Sequence, residues 1–135
     1  MGADPFENLV RTGVLHAEPP NDEELAQLFD SALARLNDAT REDLSYDSRF
    51  DLAYNASHAL ALVALKRHGY RSSKRYVLFQ LLGATAGMKA SEWRVLVAAH
   101  DKRNVAEYEG ALDHDMRLLQ DMIKIAANLA ERLGP

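Results

Sequence analysis

Apolar residues recur at steps of three and four along much of the chain, which is the spacing of one helix face. The first such run covers residues 22–39, with Asn21 before it and Glu24 three positions later. This pair has the form of a capping box, in which the Asn21 side chain accepts a hydrogen bond from an early backbone amide. Pro19 and Pro20 end the preceding segment. The pattern predicts a first amphipathic helix over residues 22–39.

The second run, residues 46–68, contains neither glycine nor proline and is rich in alanine and leucine. It ends with Lys66, Arg67 and His68, directly before Gly69. Cations in the last turn oppose the negative end of the helix dipole, and a glycine just beyond it is typical of a helix stop. Because apolar residues surround most of this helix, we predict that it is central and largely buried.

Three further helices are predicted. Ser72 and Ser73 are the expected cap of a third helix, and Ser91 that of a shorter fourth. A long final helix is predicted over about residues 103–133, with a bend near Gly110. Its apolar positions are separated by three or four residues throughout: Val105, Tyr108, Leu112, Met116, Leu119, Ile123, Ala126, Leu129 and Leu133. No stretch alternates with period two for long enough to predict a strand.

The fold class that follows is all-α, an up-and-down antiparallel bundle of four main helices and a short one. Residues 1–20 are predicted as an N-terminal arm and residues 21–135 as a single helical-bundle domain. The absence of cysteine excludes a disulfide framework and a thiolate nucleophile. Because the sequence contains neither an apolar stretch of bilayer length nor a signal-peptide pattern, a soluble cytoplasmic protein without membrane attachment is expected.

Charge is unevenly distributed along the chain, although the net charge is only −4. Residues 66–103 contain nine basic and two acidic residues. A basic segment in an acidic chain is typical of a local surface that attracts phosphates. The alternative is that these side chains are solvated helix ends and loops.

The five histidines do not indicate a metal site. None stands four positions from another and no H-E-x-x-H motif is present, so neither a metal nor a cofactor is expected. His58 lies in the alanine-rich second helix and is interpreted as a hydrogen-bonded core or interface residue. The acidic residues around His114 favour a polar helix face over a cation site.

Residues 100–110 form a highly polar segment at the predicted start of the final helix. A helix N-terminus presents free amides and a positive dipole end, which suits a phosphate. Arg103 is the candidate clamp because a guanidinium binds two phosphate oxygens together. Asn104 and Tyr108 are candidates for orienting a nucleotide or a 2′-hydroxyl. The alternative is an ordinary polar helix start with an i,i+4 ion pair between Arg103 and Glu107.

Two runs resemble the HEPN superfamily of small helical nucleotide- and RNA-associated proteins: RFDLAYNASHALALVALKRHGYRSSKRYVLFQLL (residues 49–82) and WRVLVAAHDKRNVAEYEG (residues 93–110). The resemblance implies a helical bundle, commonly a homodimer in which the polar motifs of both protomers line one cleft. Active members of the family are metal-independent endoribonucleases, many of them toxins or defence effectors. Their signature is an arginine, a polar residue, three variable positions and a histidine.

The resemblance assigns Arg103 and Asn104 to the first two signature positions and Tyr108 to the histidine position. Tyrosine has an ordinary pKa of about 10, against about 6.5 for histidine, and is therefore a poor general base at neutral pH. The resemblance thus favours binding of RNA or a nucleotide over cleavage.

The leading hypothesis is a homodimeric HEPN-type protein of a toxin–antitoxin or defence system that binds RNA or a nucleotide around Arg103, Asn104 and Tyr108. Further binding contacts are expected from polar residues in or near the basic segment: Lys102, Arg75, Lys74, Glu107 and His100. A second hypothesis is a metal-independent endoribonuclease that uses Arg103 and Tyr108, so enzymatic activity stays open. A third is a helical interaction partner of a nucleotidyltransferase, toxin component or antitoxin, for which the apolar arm between Phe6 and Leu15 offers a surface.

Overall fold

The computed structural model describes residues 4–134, so residues 1–3 of the predicted arm and Pro135 lie outside the described part. Within residues 4–134 the elements follow in this order: α1 (Glu7–Arg11), β1 (His16–Ala17), α2 (Asp22–Ala39), α3 (Tyr46–Arg67), β2 (Tyr70–Arg71), α4 (Arg75–Gln80), α5 (Leu82–Ala86), α6 (Ala90–Glu109) and α7 (Met116–Leu133). The predicted all-α class is confirmed, because α2, α3, α6 and α7 each contain 18 to 22 residues.

The two predicted N-terminal helices are confirmed. α2 begins after Asn21, whose Oδ1 accepts a hydrogen bond from the Glu24 amide at 3.1 Å. α3 ends before His68, and Gly69 follows with a left-handed φ of +89°. α3 is the central helix: twelve of its residues are buried, and α2, α4 and α7 pack around it.

The predicted single helix over residues 103–133 is wrong, and so is the short fourth helix. α6 contains 20 residues and ends at Gly110, which has a left-handed φ of +81°. α7 begins after Asp115, whose carboxylate accepts a hydrogen bond from the Leu118 amide at 3.0 Å. Both helices pack against α3. The apolar steps therefore continue across the break, and periodicity alone does not reveal it.

The serine caps predicted for the third and fourth helices are also displaced. Two short helices, α4 and α5, replace the third helix, and Lys74 is the N-cap residue of α4. The Ser72 hydroxyl accepts a hydrogen bond from the Lys74 amide at 3.2 Å, one step before the helix. Ser91 lies inside α6, where the Glu92 carboxylate instead accepts a hydrogen bond from the Lys89 amide at 3.2 Å.

The N-terminal arm packs on the helices of its own chain. Leu15 is buried, and the Phe6 ring stacks on Tyr70 with centroids 4.9 Å apart. β1 and β2 pair antiparallel, with His16 opposite Arg71. The sequence does not predict these two strands because two residues are too few to show alternation. Within residues 4–134, no helix is both long enough and apolar enough to cross a bilayer.

Candidate phosphate-binding site

The polar segment 100–110 occupies the last turns of α6 and Gly110, not the start of a helix. The backbone amides of this segment are therefore hydrogen-bonded within α6, and the C-terminus of α6 nearby carries the negative end of the helix dipole. The predicted phosphate site at a helix N-terminus is wrong. Any anion site in this region depends on side chains, and α6 directs His100 and Arg103 against α3.

Polar side chains from α3, α4 and α6 gather around the ring of Tyr54, which is 1% exposed. Its hydroxyl lies 2.8 Å from His100 Nδ1, and Nε2 of the same imidazole lies 3.1 Å from Asn104 Nδ2. The guanidinium carbons of Arg103 and Arg75 lie 4.8 Å and 5.7 Å from the ring centroid. We call this group the Tyr54 cluster; its members are Tyr54, His58, Arg75, His100, Arg103 and Asn104.

The Tyr54 ring positions the two arginines. Both guanidinium carbons lie within the roughly 6 Å at which a cation is attracted to the face of an aromatic ring. Each such contact contributes about 0.5–2 kcal/mol, depending on how far it is removed from water. This attraction offsets part of the repulsion between two like charges that share one ring.

Positive charge in the cluster is incompletely balanced. Arg103 forms an ion pair with Glu107, at an N–O distance of 3.5 Å, and the Glu107 side chain is largely exposed. Among the described residues Arg75 has no carboxylate partner, and its Nη1 atom is buried without a hydrogen-bond acceptor. Buried donors nearly always have an acceptor, so Arg75 Nη1 is a donor whose hydrogen bond the described residues do not supply.

His58 is half-buried next to these cations and makes no hydrogen bond to a described residue. Burial is the largest cause that lowers its pKa to about 4. Electrostatic effects of Arg75, Arg103 and His100 lower the pKa further. His58 is therefore neutral at pH 7, mainly because it is partly buried and secondarily because of the cations near it.

A depression of about 360 Å³ borders the cluster at Arg103. Its walls come from α3, the end of α6 and the following loop: Asp47, Phe50, Asp51, Arg103, Ala106, Glu107, Gly110, Ala111 and Leu112. Three carboxylates line it against one guanidinium, so this depression does not favour a phosphate. Arg103 thus contacts the Tyr54 ring and also lines a depression that contains three carboxylates.

Tyr108 and Arg103 are not brought together. Tyr108 is 94% exposed, and five positions along an α-helix turn the side chain by about 140°, so the two residues leave α6 on different faces. Tyr108 instead follows His100 and Asn104 at successive steps of four along one face of α6. It extends that face away from the cluster.

The structure places the remaining predicted residues unevenly. Arg75 and His100 belong to the cluster, and Glu107 contacts it through its ion pair. Lys74 is exposed at the start of α4, and Lys102 is half-buried on α6, with no hydrogen bond to a described cluster residue. Two cluster members were not predicted as site residues.

These two are Tyr54 and His58. They stand four positions apart on α3, so they share a helix face that is otherwise formed mainly by alanine and leucine. That spacing is the signal the sequence offers. The spacing indicates a site only once the fold is known, because α4 and α6 pack against α3 there.

His114 pairs with an aspartate and stacks on an aromatic ring. His114 Nε2 lies 3.0 Å from Asp47 Oδ1, and its ring stacks on Tyr46 with centroids 4.4 Å apart. Within residues 4–134, no group of three or more histidine, aspartate and glutamate side chains is arranged to hold a metal ion.

Comparison with known proteins adds no relative. No family model matches the chain, and neither a curated protein nor a solved structure matches it. The resemblance to HEPN proteins therefore rests on the two quoted runs, and the site on its own geometry.

Proposed function

We propose that this protein binds RNA or a nucleotide by holding a phosphate between Arg75 and Arg103 in the Tyr54 cluster. The buried Nη1 of Arg75, which lacks an acceptor, is the observation that carries the proposal. A phosphate oxygen at this position satisfies that donor and balances the charge that Glu107 leaves uncompensated. Two guanidinium groups with several donors each match the several oxygens of a phosphate better than two ammonium groups do.

Exposed tyrosines favour a nucleotide over an inorganic anion. The Tyr76 ring is 45% exposed and lies 6.5 Å from the His100 ring, measured between centroids. Tyr108 is almost fully exposed two turns after His100 on the same face of α6, where it extends this surface beyond the cluster. Aromatic rings next to a cationic site are the usual platforms on which unpaired bases stack.

The HEPN resemblance extends the proposal to the assembly. A homodimer would bring two copies of the Arg103 and Asn104 motif to one cleft, as in that family. A nucleotidyltransferase or antitoxin partner is the companion that the resemblance suggests. Both stay predictions, and the arm between Phe6 and Leu15 is less suited to a partner because Phe6 and Leu15 are buried against their own chain.

RNA cleavage is the second candidate function. The observation in its favour is that the His100 imidazole and the Arg103 guanidinium both contact the Tyr54 side chain. Histidine has an ordinary pKa of about 6.5 and tyrosine one of about 10, so an imidazole is the better general base at neutral pH. In this version His100 replaces Tyr108 as the acid–base group.

Binding is tested with a short, fluorescein-labelled single-stranded RNA and fluorescence anisotropy in the presence of a chelator. Arg75→Gln and Arg103→Gln are each expected to weaken binding about ten-fold or more, since each removes charge-assisted hydrogen bonds. Arg94→Gln is the matched control, because Arg94 is an exposed arginine of α6 whose guanidinium lies over the Trp93 ring and not over Tyr54. Equal weakening by Arg94→Gln, or no binding by the unmodified protein, refutes the proposal.

Cleavage is tested with the same RNA on a denaturing gel, again with chelator. Products that disappear in both Arg103→Gln and His100→Gln support the ribonuclease. Intact RNA at protein concentrations that saturate binding retires the ribonuclease and leaves the binding function.

A further inference from the structure

We propose that a groove between α2 and α7 binds a basic amphipathic helix of another polypeptide. The groove consists of two adjoining depressions of about 270 Å³ and about 520 Å³, both lined by Phe29, Asp30 and Gly134. We call it the α2–α7 groove. None of its lining residues belongs to the Tyr54 cluster, so its function does not depend on the binding of RNA.

The α2–α7 groove has the length of a helix-binding site. Its lining residues on α2 extend from Asp22 to Leu36, which corresponds to about 21 Å along the helix axis, or about four turns. A partner helix of about 15 residues has the same length. Helices that bind in grooves place apolar residues at steps of three and four against an apolar floor. The floor here consists of apolar residues of both helices: Ala26, Phe29, Leu33, Leu36, Ala127 and Ala130.

Leu33 is the large apolar side chain that the fold leaves uncovered in this groove. It is 40% exposed, whereas Phe29 and Leu36 on the same helix are buried. Ala26 and Ala127 are also exposed, and their small side chains let the backbone of a partner helix approach closely. An exposed leucine between small residues in a groove is suited to the apolar anchors of a helix.

Unpaired carboxylates border this apolar floor. Asp22 and Asp30 line the groove from α2, and Glu131 lines it from α7. Within residues 4–134, none of the three forms an ion pair. The cation among the lining residues is Arg67, whose guanidinium donates hydrogen bonds to two backbone carbonyls at the end of α7. Lysine or arginine on the flanks of a partner helix would complement these carboxylates.

The same charges disfavour a second copy of this chain as the occupant. In a symmetric dimer through this surface, α2 would approach the other copy's acidic groove, and α2 itself carries five acidic residues and one basic residue. Like charges across an interface oppose association. The basic segment around Lys74 leads into α4, which has only six residues and is much shorter than the groove. The groove therefore fits a separate polypeptide with a basic helix.

Two synthetic peptides test the chemistry of the partner. Both have about 15 residues, carry fluorescein and place leucine at helical steps of three and four. The remaining positions are lysine in one peptide and glutamate in the other. We expect saturable binding of the lysine peptide in fluorescence anisotropy, with an affinity about ten-fold or more above that of the glutamate peptide.

A neutral substitution tests the apolar floor. Leu33→Gln is expected to weaken binding of the lysine peptide about five-fold or more, because it removes an apolar contact without changing the charge. Val105→Gln is the matched control, since Val105 is an exposed apolar residue of α6 outside the groove. It should bind the peptide as the unmodified protein does.

A pair of substitutions tests the carboxylates. Asp30→Asn/Glu131→Gln should weaken binding of the lysine peptide about three-fold or more and make it less sensitive to salt. Glu23→Gln/Asp38→Asn is the control, because it changes the net charge by the same amount at exposed positions of α2 that do not line the groove. The control should lose clearly less affinity.

A further measurement needs no variant to fold. Amide signals of the unmodified protein are compared by NMR with and without saturating lysine peptide. We expect the largest shifts within residues 22–36 and 127–134, which contain the α2 and α7 sides of the groove.

Several results would overturn this inference. They are absence of saturable binding, equal affinities for the two peptides, equal losses in the variants and their controls, and amide shifts concentrated outside the groove. Sedimentation that shows a dimer for the unmodified protein and a monomer for Leu33→Gln would overturn it too, because a second copy would then occupy the groove. Failure of RNA binding would refute the proposed function and leave this inference unaffected.

Discussion

Gly110→Ala tests whether α6 and α7 are separate helices. The substitution should lower the free energy of unfolding if the chain breaks at Gly110, and raise it if one helix continues through this position. At a φ of +81° an alanine is strained by about 1–2 kcal/mol, whereas its smaller unfolded-state freedom returns about 0.4–1 kcal/mol. A Cβ at this position meets no atom within 4 Å, so packing adds nothing to the balance. The free energy of unfolding should fall by about 1 kcal/mol.

In a continuous helix the same change would raise the free energy of unfolding by about 1 kcal/mol, because alanine is the better helix former. Urea unfolding followed by far-UV circular dichroism measures the difference, and a melting temperature lower by about 3 °C is its thermal counterpart. Gly83→Ala is the control: Gly83 lies in α5 without a left-handed φ, and its added Cβ makes ordinary contacts. It should be neutral or stabilising. A Gly110→Ala protein more stable than the unmodified one would refute the break and the position of the site on α6.

Two further variants test the Tyr54 cluster. Glu107→Gln removes the carboxylate that competes with RNA for Arg103, so RNA should bind about two- to five-fold more tightly by anisotropy. Glu109→Gln is the control and should have a smaller effect. Equal effects of the two variants would indicate only a change in net charge. Tyr54→Phe keeps the ring but leaves His100 without its hydroxyl partner. Urea unfolding should show a free energy of unfolding lower by about 1 kcal/mol, and anisotropy should show weaker RNA binding. Unchanged stability and binding would contradict the role of this hydrogen bond.

The sequence predicts those helices whose ends carry a chemical marker. Asn21 and Gly69 mark the ends of α2 and α3, and both helices lie where the pattern places them. The end of α6 also has its glycine, but the apolar steps on both sides of Gly110 match one face of a single helix. Because α6 and α7 pack against the same central helix, periodicity describes their common core and not the turn between them.

The candidate site is predictable in part for a related reason. Arg103, Asn104 and His100 are close in sequence, so a local motif indicates them together. The sequence places these residues at a helix N-terminus because it predicts one helix that begins near residue 103. They lie instead in the last turns of α6, so that assignment is wrong. His58 resembles a core residue in the sequence, because only tertiary packing brings α4 and α6 to its face of α3.

The salt dependence of RNA binding tests the central claim, that Arg75 and Arg103 hold a phosphate, most directly. Each phosphate contact with a single strand releases counterions and contributes about 0.7 to the slope of log affinity against log salt. The affinity of the unmodified protein should therefore fall steeply as salt rises. The Arg75→Gln/Arg103→Gln double variant should have a shallower slope. The difference is about 1.4 if the two arginines neutralise separate phosphates and about 0.7 if they share one. Equal slopes for the two proteins would contradict the claim.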